Sequence, residues 1–312
     1  MIQVTNEQVA SALDYRELIA ALRIMFQSRY HMPLRHHHFY QTDEQVENTL
    51  ILMPAWNDRY LGIKQVVVAP ANSSKDLPAI HASYTLMDAR TGVPLAQMDA
   101  GQLTSRRTAC TSALAASFLA RQDAESLLVI GGGKVAQHLV QAHSAVRAYR
   151  HIVVWTRNPE QSRTLADHLA GEGYTVEVAD NLEEAVCDAD VISCATLATS
   201  PIIEGAWLKP GAHLDLIGSH TPRTREADDE AIRRSKVFVD SREGAIQETG
   251  ELAIPIAQGI LSPDDVQADI AELCKGIHPG RTNADEITLF KSAGLAVEDL
   301  AAALVVYRAV LP

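Results

Sequence analysis

Apolar residues recur at helical intervals near the start of the chain. Leu13, Leu18, Leu22 and Phe26 form one stripe, which predicts a capped amphipathic helical region over residues 5–25. From residue 49 the pattern changes to short apolar runs at 50–53, 60–69 and 80–87. Turn-rich pieces such as 70–74 and 88–92 separate them, so a meander of strands is expected. An alanine-rich stretch at 109–120 predicts the helix that leads into a second region. There the runs 127–130, 151–155, 174–179, 190–195, 212–217 and 237–240 read as six parallel strands. Helical segments lie between them, to about 147, from Asn158-Pro159, and at 182–189 and 226–235. Residues 287–290 look like a further strand. Residues 295–310 read as a helix too apolar to stand alone, expected to pack back on the first region.

The fold class is therefore α/β, a Rossmann-type doubly wound parallel sheet plus a β-rich domain. The expected division assigns 1–112 and 292–312 to the β-rich domain and 113–291 to the dinucleotide-binding one. The junction SLLVIGGGKVA carries the first chemistry. Its spacing fits GxGxxA at Gly131, Gly133 and Ala136: a glycine for the tight turn, one for close approach of a pyrophosphate, and a small residue for packing of helix on strand. At the end of the second strand, where a site preferring NAD carries Asp or Glu for the ribose 2′-hydroxyl, this chain has Thr156, Arg157 and Asn158. A solvated strand-end arginine is the plain alternative. The missing carboxylate and the present guanidinium together favour NADP(H) over NAD(H), with Thr156 and Asn158 adding neutral hydrogen bonds. Thr196 and Ser219 are expected on the cofactor side as well.

Composition narrows the partners. A hydrophobic content of 47% with 21% charged residues is that of a soluble globular protein, and a net charge of −12 argues against nucleic acid or an anionic membrane. The four cysteines, Cys110, Cys187, Cys194 and Cys274, show no ligand spacing and are expected to be reduced, in a cytoplasmic setting. The N-terminal segment lacks a basic flank and an apolar core of signal length, so no export is expected. His36, His37 and His38 invite a metal reading. Consecutive residues on a strand point to opposite faces, and no carboxylate or cysteine follows at ligand spacing, so a solvated cluster and no metal site are expected.

Several segments in order resemble the ornithine cyclodeaminase and mu-crystallin family of NAD(P)-dependent enzymes. They are MPAW at Met53, GIK ending at Lys64, TSRRTAC at Thr104, GGGKVA, ADVISCATLATSPII from Ala189, WLKPGAH from Trp207, VFVDS from Val237 and EITLFKSAGLAVEDLAAA from Glu286. The resemblance implies a homodimer in which a β-rich substrate domain is closed by the C-terminal helix. It also implies that Arg35, Lys64 and Arg107 line the substrate pocket. A planar guanidinium suits a substrate carboxylate, and a lysine can polarise an imine or donate a proton. The chain departs from the family where cyclodeaminases and related alanine dehydrogenases carry a presumed acid/base aspartate, because His220 stands there. An imidazole moves protons near neutral pH but supplies no fixed negative charge. A second departure puts Val135 in place of the family's glutamine and Lys134 beside the phosphate turn.

The expected activity is thus NADPH-dependent reduction of a small 2-imino carboxylate, such as a cyclic ketimine, with Lys64 and His220 as the catalytic candidates. Ornithine cyclodeamination is the alternative enzyme reading. A non-catalytic NADPH and ligand binder is the alternative from a different class. Arg157→Ala should weaken NADPH binding much more than NADH binding, by roughly the 1.5–3 kcal/mol of a charged hydrogen bond. Titration of both cofactors checks this, and equal affinities in the parent protein would overturn it.

Overall fold

Two side-chain caps divide the N-terminal helical region. Thr5 caps the first helix, α1 (Asn6–Ala12), in a reciprocal box with Gln8. Asp14 then accepts hydrogen bonds from the backbone of Arg16 and Glu17 and starts α2 (Tyr15–Gln27). The single helical region expected from periodicity is therefore two helices, because Asp14 offers the backbone a better partner than helix continuation does. On α2, Leu18 and Leu22 are fully buried. Each contributes about 1.5–3 kcal/mol through removal from water.

The computed structural model describes residues 1–42, 46–75 and 77–311. It divides into two units, Met1–Arg107 with Leu295–Pro312, and Thr108–Gly294. In the first unit, β1 (Ile2–Val4), β2 (His36–Gln41), β3 (Glu47–Trp56), β4 (Tyr60–Val68), β5 (Ile80–Asp88) and β6 (Pro94–Asp99) form one sheet. Its order is β1-β6-β5-β4-β3-β2, with β1 parallel to β6 and the remaining pairs antiparallel. The three histidines are exposed, as a solvated cluster would be, but they lie on an edge strand, β2. An edge strand needs only backbone pairing, here with β3, so no apolar pattern marks it. β6 escaped detection because Pro94, Gln97 and Asp99 interrupt its apolar run.

Helix α3 (Gly101–Leu119) begins well before the alanine-rich stretch. Its first two turns hold Thr104, Ser105, Arg106 and Arg107, which look loop-like in sequence. A tertiary partner holds this turn, since Arg106 Nη1 donates to the carbonyl of Leu13 at 2.7 Å, while its Nε donates to Gln102 one turn back in the same helix at 3.1 Å.

The second unit alternates strand and helix. Its strands are β7 (Ser126–Ile130), β8 (His151–Trp155), β9 (Glu177–Val178), β10 (Val191–Cys194), β11 (His213–Leu216), β12 (Ser235–Val239), β13 (Ala268–Asp269) and β14 (Ile287–Lys291). They build one parallel sheet of order β13-β12-β14-β11-β10-β7-β8-β9. Between them run α4 (Ala136–Val146), α5 (Pro159–Gly171), α6 (Leu182–Asp188), α7 (Asp229–Arg234), α8 (Arg242–Glu248), α9 (Gly250–Ala257) and α10 (Ile270–Cys274). The sheet has two strands more than the six expected. β13 is too short to leave a pattern, and β14 enters between β11 and β12, a placement no local run encodes. The third strand shrinks from 174–179 to two residues. Leu128, Ile130, Ile192, Cys194, Leu214, Leu216, Val237 and Val239 share one core, while their neighbours Leu127, Val129 and Val191 are equally buried. Burial on both faces is why these strands read as continuous apolar runs.

The chain returns to the first unit as α11 (Ala296–Val310), which packs on α2, β3 and β4. Among the described residues no helix is long and apolar enough to cross a membrane. Gly62 on β4 leaves room for the ring of Tyr84, since a Cβ there would lie 1.7 Å from the Tyr84 hydroxyl oxygen. Gly62→Ala should cost about 1–3 kcal/mol in urea unfolding. Combined with Tyr84→Ala it should show a loss smaller than the sum of the two single variants. Strict additivity would dismiss the clash.

Candidate active site

In the first unit four charged side chains meet in the interior. Strand register sets Lys64 between Met53 on β3 and Tyr84 on β5, both buried, and leaves the lysine 2% exposed. Its Nζ lies 2.8 Å from Oδ2 and 3.0 Å from Oδ1 of Asp299. Arg107, on the early turns of α3, donates through Nε to Asp299 Oδ1 at 2.9 Å and through Nη1 to Glu298 Oε2 at 2.5 Å. Glu298 and Asp299 occupy the first turn of α11, where the helix dipole favours negative charge. Breaking one partner from such a buried network costs about 3–5 kcal/mol, because the other charge is stranded.

This arrangement tunes the lysine. Burial drives Lys64 toward its neutral form, Arg107 pushes the same way and Asp299 opposes them, so its pKa is lowered to about 8. Arg35, half-buried, is close enough to add to the lowering. Burial, followed by the charge of Asp299, raises the Tyr84 phenol well above its ordinary value, so it stays a hydroxyl. No hydrogen-bond partner for that hydroxyl is found among the described residues. Arg35, Lys64 and Arg107 are thus brought together. Glu298, Asp299 and Tyr84 were not singled out from sequence. The available signal was an adjacent acidic pair inside an otherwise apolar helix.

In the second unit the cofactor candidates line the carboxyl ends of the parallel strands. Strand order reverses at β7, with β8 on one side and β10 on the other, the kind of switch point at which open α/β sheets bind ligands. Gly131 has φ +124, and a Cβ there would lie 2.4 Å from the carbonyl oxygen of Ala195, so only glycine fits. A Cβ on Gly133 would meet no atom within 4 Å, which leaves open space above the turn. Ala136 is buried at the start of α4, and Lys134 is exposed on the turn.

Beyond β8, Thr156 and Asn158 are engaged locally. Thr156 Oγ1 donates to the carbonyl of Asn158 at 2.5 Å and sits 2.9 Å from Ser162 Oγ, while Asn158 Oδ1 caps α5 through Glu160 N at 3.0 Å. Both shape the turn that leaves the Arg157 side chain exposed. Thr196 follows β10, and both its N–H and its hydroxyl donate to Glu226 Oε1 at 2.8 Å. Ser219 is buried beyond β11 and donates to the carbonyl of Thr224. His220 is exposed, and its Nδ1 donates to the Gly218 carbonyl at 3.0 Å.

Sequence reasoning also passed over Glu226 and Glu251, which are fully buried. Glu251 Oε1 accepts from the backbone N–H of Glu226 and Ala227, both at 2.8 Å. Burial dominates its titration, Lys291 opposes it and Glu226 adds to it, so its pKa is raised to about 7.

The profile of the ornithine cyclodeaminase/mu-crystallin family matches residues 2–311. A Delta(1)-pyrroline-2-carboxylate reductase from Colwellia psychrerythraea is 37% identical, over 96% of this chain and 96% of that one. Two solved structures superpose closely. One is the Thermococcus litoralis Delta(1)-pyrroline-2-carboxylate reductase in complex with NADH and L-proline, at TM-score 0.92 and 31% identity, covering 99% of this chain and 97% of that one. The other is an archaeal alanine dehydrogenase dimer with bound NAD, at TM-score 0.90 and 30% identity, covering 99% and 95%.

The raised Glu251 value links pH to stability. A carboxyl group whose pKa is higher folded than unfolded contributes most below its ordinary value of 4.5, and the contribution is lost as pH rises through about 7. That loss is on the order of 3 kcal/mol between pH 4.5 and neutrality. Glu251→Gln keeps an acceptor for both N–H groups and has no proton to lose. Urea midpoints of the variant should therefore fall less than those of the parent as pH rises across this range. Parallel curves would refute the linkage.

Proposed function

The chain belongs to the ornithine cyclodeaminase/mu-crystallin family, and on that premise we propose that it is a cytoplasmic, homodimeric, NADPH-preferring reductase of small cyclic 2-imino carboxylates. The observation that carries this reading is the buried Lys64, with a pKa of about 8, set between Asp299 and two guanidinium groups. Such a group gives up a proton near neutral pH inside a pocket whose positive charge suits a carboxylate. The likeness to pyrroline-2-carboxylate reductases supports the same substrate class.

In this reading the first unit binds substrate and the second binds the dinucleotide. The open space over Gly133 and the close approach at Gly131 fit a pyrophosphate, and the exposed Arg157 fits a 2′-phosphate. When bound, the reduced nicotinamide supplies the hydride that adds to the imine carbon. Arg35 and Arg107 fix the substrate carboxylate by charge. Lys64 passes a proton from Nζ to the imine nitrogen, and Asp299 holds that Nζ in place while it does so. Hydride and proton together convert C=N to CH–NH, which leaves the lysine neutral until solvent recharges it.

His220 supports reduction over cyclodeamination. A ketimine arrives with its C=N bond already formed, so no ammonia has to be expelled and a fixed carboxylate at this position is dispensable. The homodimer is supported by the dimeric neighbour and by the sheet of the first unit. Register puts Leu50, Leu52, Ile63 and Val67 on the face opposite Lys64, and all four stay only half-buried within one chain.

Purified protein should oxidise NADPH in the presence of 1-pyrroline-2-carboxylate or 1-piperideine-2-carboxylate. The value of kcat/KM should fall as pH rises above about 8, where Lys64 loses its proton. Rapid ammonia release from ornithine with oxidised cofactor, and no turnover of either ketimine, would overturn the assignment.

A further inference from the structure

We propose that Glu226 is a positioning residue for the cofactor, a buried carboxylate that ties together the two loops leaving β10 and β11. The inference rests on the reading that a nicotinamide dinucleotide binds at this edge of the sheet, and adds a specific residue that shapes the edge.

Four donors converge on the Glu226 side chain. Oε1 accepts from Thr196 N–H and from Thr196 Oγ1, both at 2.8 Å, and from the Cys194 thiol at 3.1 Å. Oε2 accepts from Gly218 N–H at 2.6 Å. An acceptor-only group with several lone pairs matches this set, whereas an amide would turn two of its own N–H groups toward it. Burial raises the Cys194 thiol well above its ordinary range, so it keeps its proton and remains a donor.

The backbone of Glu226 grips the first loop a second time. Its carbonyl accepts from Ile202 N–H at 2.8 Å and Ile203 N–H at 3.0 Å, so one residue holds residues 196–203 at both ends. Closing a loop this way removes conformational freedom that a ligand would otherwise have to take away on binding. The loop carries Leu197, 82% exposed, an apolar side chain held outward at the edge of the sheet. The second loop is drawn in as tightly. A Cβ on Gly218 would lie 1.8 Å from the Thr196 carbonyl oxygen and 2.6 Å from Glu226 Oε1, so these loops touch only because that residue is glycine. Glu226 is itself fixed from behind, where its N–H donates to Glu251.

The predicted consequence is a loss of cofactor affinity with little change in substrate handling. Glu226→Gln should raise the Kd for NADPH about tenfold or more, read by fluorescence titration. It should raise KM for NADPH, leave KM for the imine within about twofold, and speed hydrogen exchange at the Thr196 and Gly218 amides. Val186→Ala, a core truncation on α6, is the control for lost stability: it should lower Tm and leave the NADPH Kd unchanged. If Glu226→Gln does not fold, Gly218→Ala forces the same loops apart and should raise Kd similarly. A parent that binds NADPH alongside a folded Glu226→Gln variant with parental Kd and parental exchange would overturn the inference alone. A parent that binds neither NADPH nor NADH would overturn the cofactor reading and the inference with it. A rise in Kd for Val186→Ala equal to that for Glu226→Gln would also overturn the inference, because lost stability would then explain both.

Discussion

The buried meeting of Lys64 and Arg107 with Glu298 and Asp299 is the constraint around which the first unit is arranged. Asp299 lies 235 residues from Lys64 and 192 from Arg107 along the chain, yet one carboxylate receives both cations. None of these charges is tolerable in the interior alone, so β4, α3 and α11 have to arrive together. This is a physical reason for the last helix to return to the first unit after the chain has traversed the second. The apolar face of α11 supplies the binding energy for that return, and its acidic first turn supplies the specificity.

The same economy appears in the second unit with the signs changed. The carboxyl edge of the parallel sheet is built on buried acceptors: Glu226 beneath two loops, Glu251 behind it, and Asp240 accepting from the backbone of Ala293 and Gly294 at 2.6 and 2.7 Å. Loop backbones carry N–H groups that no sheet ladder satisfies, and a carboxylate gathers several of them at once. The cost appears in titration. Burial raises both Asp240 and Glu251, while the buried Lys291 opposes both shifts. Tightly shaped loops are thus bought with groups that do not ionise easily. The equilibrium of Glu251 near neutrality is a consequence of that shaping.

Much of the architecture was legible because its signals are local. Period-two and continuous apolar runs located β4, β5 and most of the parallel strands. The glycine turn at Gly131 was visible because a tight turn demands glycine whatever surrounds it. The absence of an acidic residue after β8 needed no structure to notice. Lys64, Arg35 and Arg107 became candidates through resemblance of whole segments, since each alone is an ordinary surface charge. Their assembly around Asp299 was beyond the reach of any segment.

What the sequence by itself determined is therefore the set of elements whose stability is decided within ten or twenty residues: alternating strands and helices, their turns and their caps. Only the tertiary structure decided where polar stretches belong. It made TSRRT the opening of a helix because Arg106 and Arg107 find partners on other elements, and it made three histidines an edge strand because β3 offers its backbone. It inserted β14 between β11 and β12, and it turned Glu226, Glu251, Glu298 and Asp299 from apparent surface acids into buried ones. The physical reason is common to all of these. Apolar burial is non-directional and leaves a periodic trace along the chain, whereas a buried charge or an unpaired backbone group is acceptable only beside a specific partner, and that partner is contributed by a distant part of the sequence.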